Sequence, residues 1–279
     1  MKSEITSKVP AELRPHFLQL NLRCPQQSVD SLFSGYKTFK AFSMADTVQN
    51  ILQELEALGS ESTKRTLMRH GAREPFFGVR IGDMKPIEKR LKRNYALSLA
   101  LYETGNSDAM YLAGLIADEK SMTVADLQHW AENASWQMIS EYTVAWVAAE
   151  SNHGYKLGMK WIDDSREKIA TSGWATLSGL LAMHGEAAFE KGDVAALLDR
   201  IVKTLHQSPD RVRYTMNNFV IAAGTYVPEL RAKAIGVAHG LGKVEVNMGG
   251  TACQVPEAAG YIEKAAARWN GKYRKMVRC

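Results

Sequence analysis

Through most of this chain the apolar residues recur at helical spacing, and they almost never alternate with period two. In "SMADTVQNILQELEALG", Val48, Ile51, Leu52, Leu55 and Leu58 form one stripe, and Gly59 is placed to end the helix. "SESTKRTLMRHG" predicts a second short helix. "GDMKPIEKRLKR" predicts a third, with Asp83 as its N-cap and Pro86 tolerable within the first turn. "YALSLALYETG" and "SDAMYLAGLIADE" follow, separated by a Gly-Asn-Ser turn. "TVADLQHWAEN" opens with a capping box, Thr123 to Asp126. "SWQMISEYTVAWVAAES" is expected to bury Ile139, Tyr142, Trp146 and Ala149 on one stripe and to leave Trp136, Ser140 and Thr143 on the opposite face. Further helices are expected near 154–162, 164–184, 192–206, 209–223 and 228–240. Asp163 and Asp164 are placed to favour the dipole at the start of one of them.

Such a series predicts an all-α fold from Met44 to about Gly242. Helix pairs recur about every 35–45 residues, which fits a solenoid of stacked antiparallel pairs. A compact bundle is the alternative. Residues 1–43 hold Pro10, Pro15 and Pro25 and only short apolar runs. They are expected to be an N-terminal extension, either preceding an ancestral start at Met44 or forming a loosely docked arm. Residues 243–279 break the helical pattern with a β-like "VEV", a Gly-Gly turn and a final helix from about Glu257. After Glu263 the chain carries only basic charges, among them Lys264, Arg268, Lys272, Arg274, Lys275 and Arg278, and reads as a basic tail.

A hydrophobic content of 46% allows a sizeable core, and a net charge of +5 leans toward anionic partners. Cys24, Cys253 and Cys279 are an odd, scattered set, which suits a reducing compartment better than a disulfide framework. No stretch is apolar enough to cross a membrane, and the N-terminus lacks the apolar core of a signal peptide. A cytoplasmic monomer is expected. The seven histidines show no metal-like pairing, and "GLGK" lacks the spacing of a phosphate loop, so neither metal nor cofactor is expected.

The chemistry concentrates in "REPFFGVRIGDMKPIEKRLKR". Met84, Ile87 and Leu91 should face the core, which puts Lys85, Lys89 and Arg93, with nearby Lys92, on the other side behind Arg80. Such a face is either a solvated surface or a phosphate-contacting one. Phe76 and Phe77 are expected in the core, with Gly78 permitting the turn. Trp136 with hydroxyls four and seven residues on either lines a groove or packs inside.

"EPFFGVRIGDMKPIEKRLK", "ASWQMISEYTVAW", "KWIDD" and "RYTMNNFVIAAGTYVP" occur in this order across about Met44 to Pro228. Together they resemble the DNA alkylation repair family of HEAT-like proteins, typified by AlkD-type alkylpurine DNA glycosylases. The resemblance implies a C-shaped solenoid whose basic concave face cradles duplex DNA, alkylated or distorted, and which excises N3- or N7-alkylated purines. It makes the protein nucleoid-associated when bound. It places Trp136 at a family tryptophan, Ser140 where active members have Asp, and Phe219 at a second groove aromatic. Glu141 could substitute for the missing carboxylate if the helix is rotated. A family Arg falls near Thr171 or Ser172 and is missing. The implied DNA contacts are Arg80, Lys85, Lys89, Arg93, Arg211, Arg213 and Phe219. Three readings stay open: a glycosylase with a rearranged site, a non-catalytic binder of damaged or branched DNA, and a protein-interaction solenoid.

Overall fold

The computed structural model describes residues 47–249 and 251–278. The expected 1–43 extension, its boundary at Met44, and both Cys24 and Cys279 lie outside the described residues. Among the described residues there are thirteen α-helices and no strand. They are α1 Val48–Leu58, α2 Glu61–Arg69, α3 Ile81–Leu91, α4 Tyr95–Tyr102, α5 Ser107–Ile116, α6 Val124–Asn133, α7 Ala145–Glu150, α8 Gly154–Trp161, α9 Glu167–His184, α10 Asp193–Thr204, α11 Asp210–Tyr226, α12 Arg231–Leu241 and α13 Ala258–Arg268. A π-helical turn, Ile139–Val144, runs directly into α7.

Local chemistry explains where many helices begin. Thr47, Ser60, Asn94 and Asn106 each accept a backbone N–H from the first turn that follows them. The capping box at α6 forms as its sequence predicts. Thr123 Oγ1 accepts from the Asp126 N–H at 3.1 Å, and Asp126 Oδ2 accepts from the Thr123 N–H at 2.9 Å. Two expectations need correction. α3 begins before Asp83, with Arg80 at the N-cap, so Pro86 lies beyond the first turn. Asp83 still favours the helix dipole from inside that turn, and it holds Arg80 at 2.9 Å. Nor do Asp163 and Asp164 start α9. Asp163 pairs with Arg200 at 2.6 Å, while Asp164 accepts the Arg166 N–H at 2.8 Å in the turn before the helix.

The helices stack in two rows. α5, the π turn, α9, α11 and α13 form one row, each packed on the next. α4, α6, α8, α10 and α12 cover it from the other side. This is the solenoid of helix pairs, not a bundle around one axis. The core is correspondingly long. One cluster of buried residues extends from Ile51 to Ile169 and a second from Ala149 to Val277, and Trp146 packs against both. Trp130, Trp161 and Trp174 are fully buried along the stack.

The C-terminal segment belongs to this core. Val244–Val246 forms no strand, because no described segment pairs with it. α13 packs on α11 and α12, and Ile262 is fully buried. The chain then runs back across the stack. The Arg274 N–H donates to Ala182 O at 2.9 Å, and Val277 and Arg278 are both buried. Arg278, expected in an exposed basic tail, is therefore an internal residue.

Candidate nucleic-acid interface

The aromatic turn before α3 is held from inside. The Asp108 carboxylate, buried at the start of α5, accepts the backbone N–H groups of Phe77 at 2.6 Å, Gly78 at 3.0 Å and Val79 at 3.2 Å. Gly78 has φ +81°, and a Cβ there would lie 2.7 Å from Lys64 N, so only glycine fits. Phe76 is buried beneath Lys64 Nζ, 5.3 Å from the ring centroid. Phe77 is half-buried. Both rings pack, as their sequence context predicts. The turn fixes the angle at which α3 leaves it.

α3 buries Met84, Ile87 and Leu91. Its other side, with the two residues after its end, gathers Lys85, Lys89, Lys92 and Arg93 around an open cleft of about 480 Å³, with Glu88 and Leu115. Lys85 contacts Glu88 at 2.9 Å. Arg93 donates to Leu115 O and lies 3.7 Å from Glu119. Lys89 and Lys92 are exposed and make no ion pair among the described residues. Arg80 stands at the opposite end of the helix, its side chain 76% exposed.

The Trp136 region departs from expectation. The π turn inserts a wide coil three residues after Trp136, so regular α-helical directions do not apply beyond that point. Ser140 and Thr143, expected opposite the apolar stripe, are buried. Ser140 Oγ donates to Gln137 O at 3.2 Å, and Ser140 O accepts from Ser172 Oγ at 3.0 Å. Tyr142 and Trp146, expected in the core, are only half-buried. Trp136 is half-buried, and its Nε1 is enclosed without a hydrogen-bond partner among the described residues.

Glu141 lies inside the π turn and points to α11. Its carboxylate takes two hydrogen bonds from Arg211, from Nε at 2.6 Å and from Nη2 at 2.7 Å. Only 4% of the Glu141 side chain and 19% of the Arg211 side chain are exposed. Burial pushes the Glu141 pKa up to about 7, against the opposing pull of Arg211. The guanidinium also lies 4.3 Å over the Tyr214 ring, and Nη1 meets Met248 Sδ at 3.7 Å. Met248 belongs to a strap that starts at α11, where the Asn247 N–H donates to Asp210 Oδ2 at 3.3 Å. It reaches α2 at Gly249, where a Cβ would lie 2.2 Å from Arg69 O. The carboxylate–guanidinium pair is thus enclosed by protein on several sides.

The remaining expected site residues are also placed. Phe219 is fully buried and meets Trp174 edge-on at 5.4 Å, so it lines no groove. Its helix, α11, is packed by α9, α12 and α13, which leaves that position no outward side. Arg213 is paired with Asp210 in its own first turn. Thr171 and Ser172 are fully buried, and Ser172 serves the α9–π-turn contact. The structure therefore gathers Lys85, Lys89 and Arg93 in one cleft, leaves Arg80 exposed on the same helix, and engages Arg211, Arg213 and Phe219 internally. Sequence reasoning missed Asp108 altogether. An acid two positions after the Asn106 cap was its only local signal.

Comparison with known proteins bears on this geometry. The family model described as DNA alkylation repair enzyme matches residues 51–259. The uncharacterized protein Lin0241 of Listeria innocua is 33% identical over 230 residues, covering 80% of this chain and 99% of the relative. The uncharacterized protein Lmo0209 of Listeria monocytogenes is 32% identical over 228 residues, covering 80% and 98%. A solved structure, described as a new family of proteins related to the HEAT-like repeat DNA glycosylases with affinity for branched DNA structures, is 39% identical. It superposes with a TM-score of 0.76, covering 83% of this chain and 99% of that one.

Proposed function

The chain belongs to the DNA alkylation repair enzyme family, and on that premise we propose that it binds DNA by shape, favouring branched or distorted forms, without cleaving the glycosidic bond. The observation that carries this reading is the Glu141–Arg211 pair. Excision of an alkylated purine requires stabilisation of positive charge growing on the deoxyribose, and a carboxylate aimed at the sugar supplies it. Ser140 offers no charge. Glu141, the acid beside it, is buried and held through both its oxygens by two guanidinium nitrogens of Arg211. Its charge is spent inside the protein, and it has no free oxygen to turn toward a sugar. Half-buried Trp136 has no carboxylate to work with.

Binding needs less. The lysines of α3 recognise phosphates irrespective of sequence, and such contacts set affinity and orientation. A surface of this kind discriminates by where phosphates stand in space. The solved relative with affinity for branched DNA, which shares the fold over nearly its whole length, supports the same preference here. No helix among the described residues is long and apolar enough to cross a membrane.

The test compares a four-way junction, a bulged duplex and a linear duplex of equal length at fixed salt. In parallel it measures release of N3-methyladenine and N7-methylguanine from methylated duplex. The junction is expected to bind at least several-fold tighter than the linear duplex, and base release to stay at the protein-free rate. Release above that rate would restore the glycosylase reading. Equal affinity for all three forms would remove shape selectivity, and no binding to any would remove DNA as the partner.

A further inference from the structure

Among the described residues three helices end in the same backbone conformation, and only one of them does so on a residue with a side chain. α9 ends on Gly185 with φ 60° and ψ −145°, and α12 ends on Gly242 with φ 61° and ψ −139°. α3 ends on Lys92 with φ 57° and ψ −155°. Each cap N–H returns to the carbonyl four residues earlier: Leu181 O, Ala238 O and Glu88 O. Among the described residues Lys92 is the one non-glycine with positive φ. A Cβ crowds the flanking peptide groups in this region, and it is occupied almost entirely by glycine.

The turn itself is required. The next two residues must reach α5, where the Asn94 N–H donates to Ile116 O at 2.7 Å and the Arg93 guanidinium meets Leu115 O. Glycine would make that turn without strain, as it does twice elsewhere. The ordinary reasons for a lysine do not account for this one. Its side chain is exposed and forms no ion pair among the described residues. Favourable charge at the helix C-terminus is already supplied by Lys89 and Arg90 in the last turn. What Lys92 adds is a further ammonium on the cleft that Lys85, Lys89 and Arg93 line. Among the described residues the only acid on that cleft, Glu88, is held by Lys85.

We infer that Lys92 is a phosphate-contacting residue, kept at a strained position because its ammonium completes the seat for a nucleic-acid backbone phosphate in the cleft at the end of α3. The inference rests on the DNA-binding reading above. An ammonium suits the task, since it acts as a point charge on a flexible stem and needs no fixed orientation.

Two substitutions in the full chain separate strain from charge. Lys92→Gly relaxes the backbone and removes the ammonium, whereas Lys92→Gln removes the ammonium and keeps the strain. Lys92→Gly should raise Tm by about 2–6 °C, while Lys92→Gln should leave Tm close to wild type. Both should weaken binding to the four-way junction by roughly fivefold to tenfold at about 0.1 M salt and flatten the slope of log K against log salt by about 0.9. A Lys92→Gly protein that melts below wild type would overturn the inference, because glycine would not then be the relaxed residue. Wild-type affinity and slope in both variants, with the wild type binding, would overturn it and leave the DNA-binding reading in place. A wild type that binds no DNA would overturn both.

Discussion

Arg278 Nε lies 2.7 Å from Glu150 Oε2, across 128 positions of chain. The other Glu150 oxygen accepts the backbone N–H groups of Val277 and Arg278, each at 2.8 Å. Arg278 Nη1 donates to Gly114 O at 2.9 Å and Ala117 O at 2.8 Å, and Nη2 reaches Glu119. The chain end thereby joins α5 to α7. Every nitrogen of this buried arginine is engaged, so removing a partner is costly. Glu150→Ala is expected to destabilise the fold by about 3 kcal/mol, the lower end of the range for a broken buried pair, because Glu119 remains. Arg278→Ala should cost more, since it leaves Glu150 without its cation and Glu119 with only the more distant Arg93. Thermal melts check both, and wild-type Tm in either variant would return this residue to the exposed tail that its sequence context suggests.

Asp108 is the keystone of the turn that aims α3. Its two oxygens accept three backbone N–H groups, which have no other acceptor among the described residues. Asp108→Ala should destabilise by about 3 kcal/mol, since hydrogen bonds to a charged acceptor are worth more than neutral ones and buried donors would be left unpaired. Asp108→Asn should cost less. Both variants should also bind DNA more weakly than their remaining stability explains, because the turn sets where the lysines stand. Full DNA affinity in a folded Asp108→Ala protein would separate the turn from the interface.

What could be read from the sequence was what is decided locally. The stripe of Met84, Ile87 and Leu91, the Thr123–Asp126 box and the stacked-pair architecture each follow from spacing within one or two helices. The misreadings share a cause. Phe219 sits on a helix enclosed on several sides, where periodicity no longer distinguishes in from out. Ser140 was expected opposite the apolar stripe because a regular α-helix was assumed, whereas the π turn redirects the side chains from Ile139 to Val144. Arg211 and Arg278 resemble free cations until partners 70 and 128 positions away are known. A basic residue in sequence is a candidate for DNA, and only the fold shows which charges are already spoken for.

His70 gives the fold a pH dependence. It caps the end of α2, and burial, with Arg69 and Arg211 nearby, holds its pKa below the ordinary value. The unfolded chain therefore binds a proton near pH 6.5 that the folded protein refuses. Its contribution to stability is present above that pH and is lost as pH falls through the lower folded value. The wild type should lose more Tm between pH 7.5 and pH 5.5 than His70→Gln does. Parallel losses in the two proteins would show that His70 is not the titrating group.

The α3 lysines can be tested apart from Lys92. Arg93 is committed to Leu115 O and Glu119, so its replacement would disturb the fold as well as the charge. Lys85→Gln with Lys89→Gln avoids this. The pair should lower the slope of log K against log salt by up to about 1.8, on the order of 0.9 per lost phosphate contact. An unchanged slope in the folded double variant would make this side of α3 a solvated face.

Ser140 and Glu141 give the sharpest contrast between sequence and structure. If Ser140 simply lacked a catalytic carboxylate, Ser140→Asp would raise excision of N7-methylguanine. The structure predicts otherwise. Ser140 is 2% exposed, and its nearest polar contact through Oγ is an acceptor, Gln137 O. An Asp there would be buried without a donor, beside Glu141, with Arg211 already engaged. The variant should lose roughly 3 kcal/mol of stability and gain no base release. Arg211→Met should be similarly damaging, because it strands Glu141. The double variant Glu141→Leu with Arg211→Met removes the stranded charge and should recover much of that loss, since a buried pair replaced by apolar groups of like size is often nearly neutral. Junction affinity in that stable double variant then decides what the pair is for. Retained affinity makes it an internal strut between the π turn and α11. A drop of tenfold or more, without loss of Tm, would place Arg211 on the DNA after all.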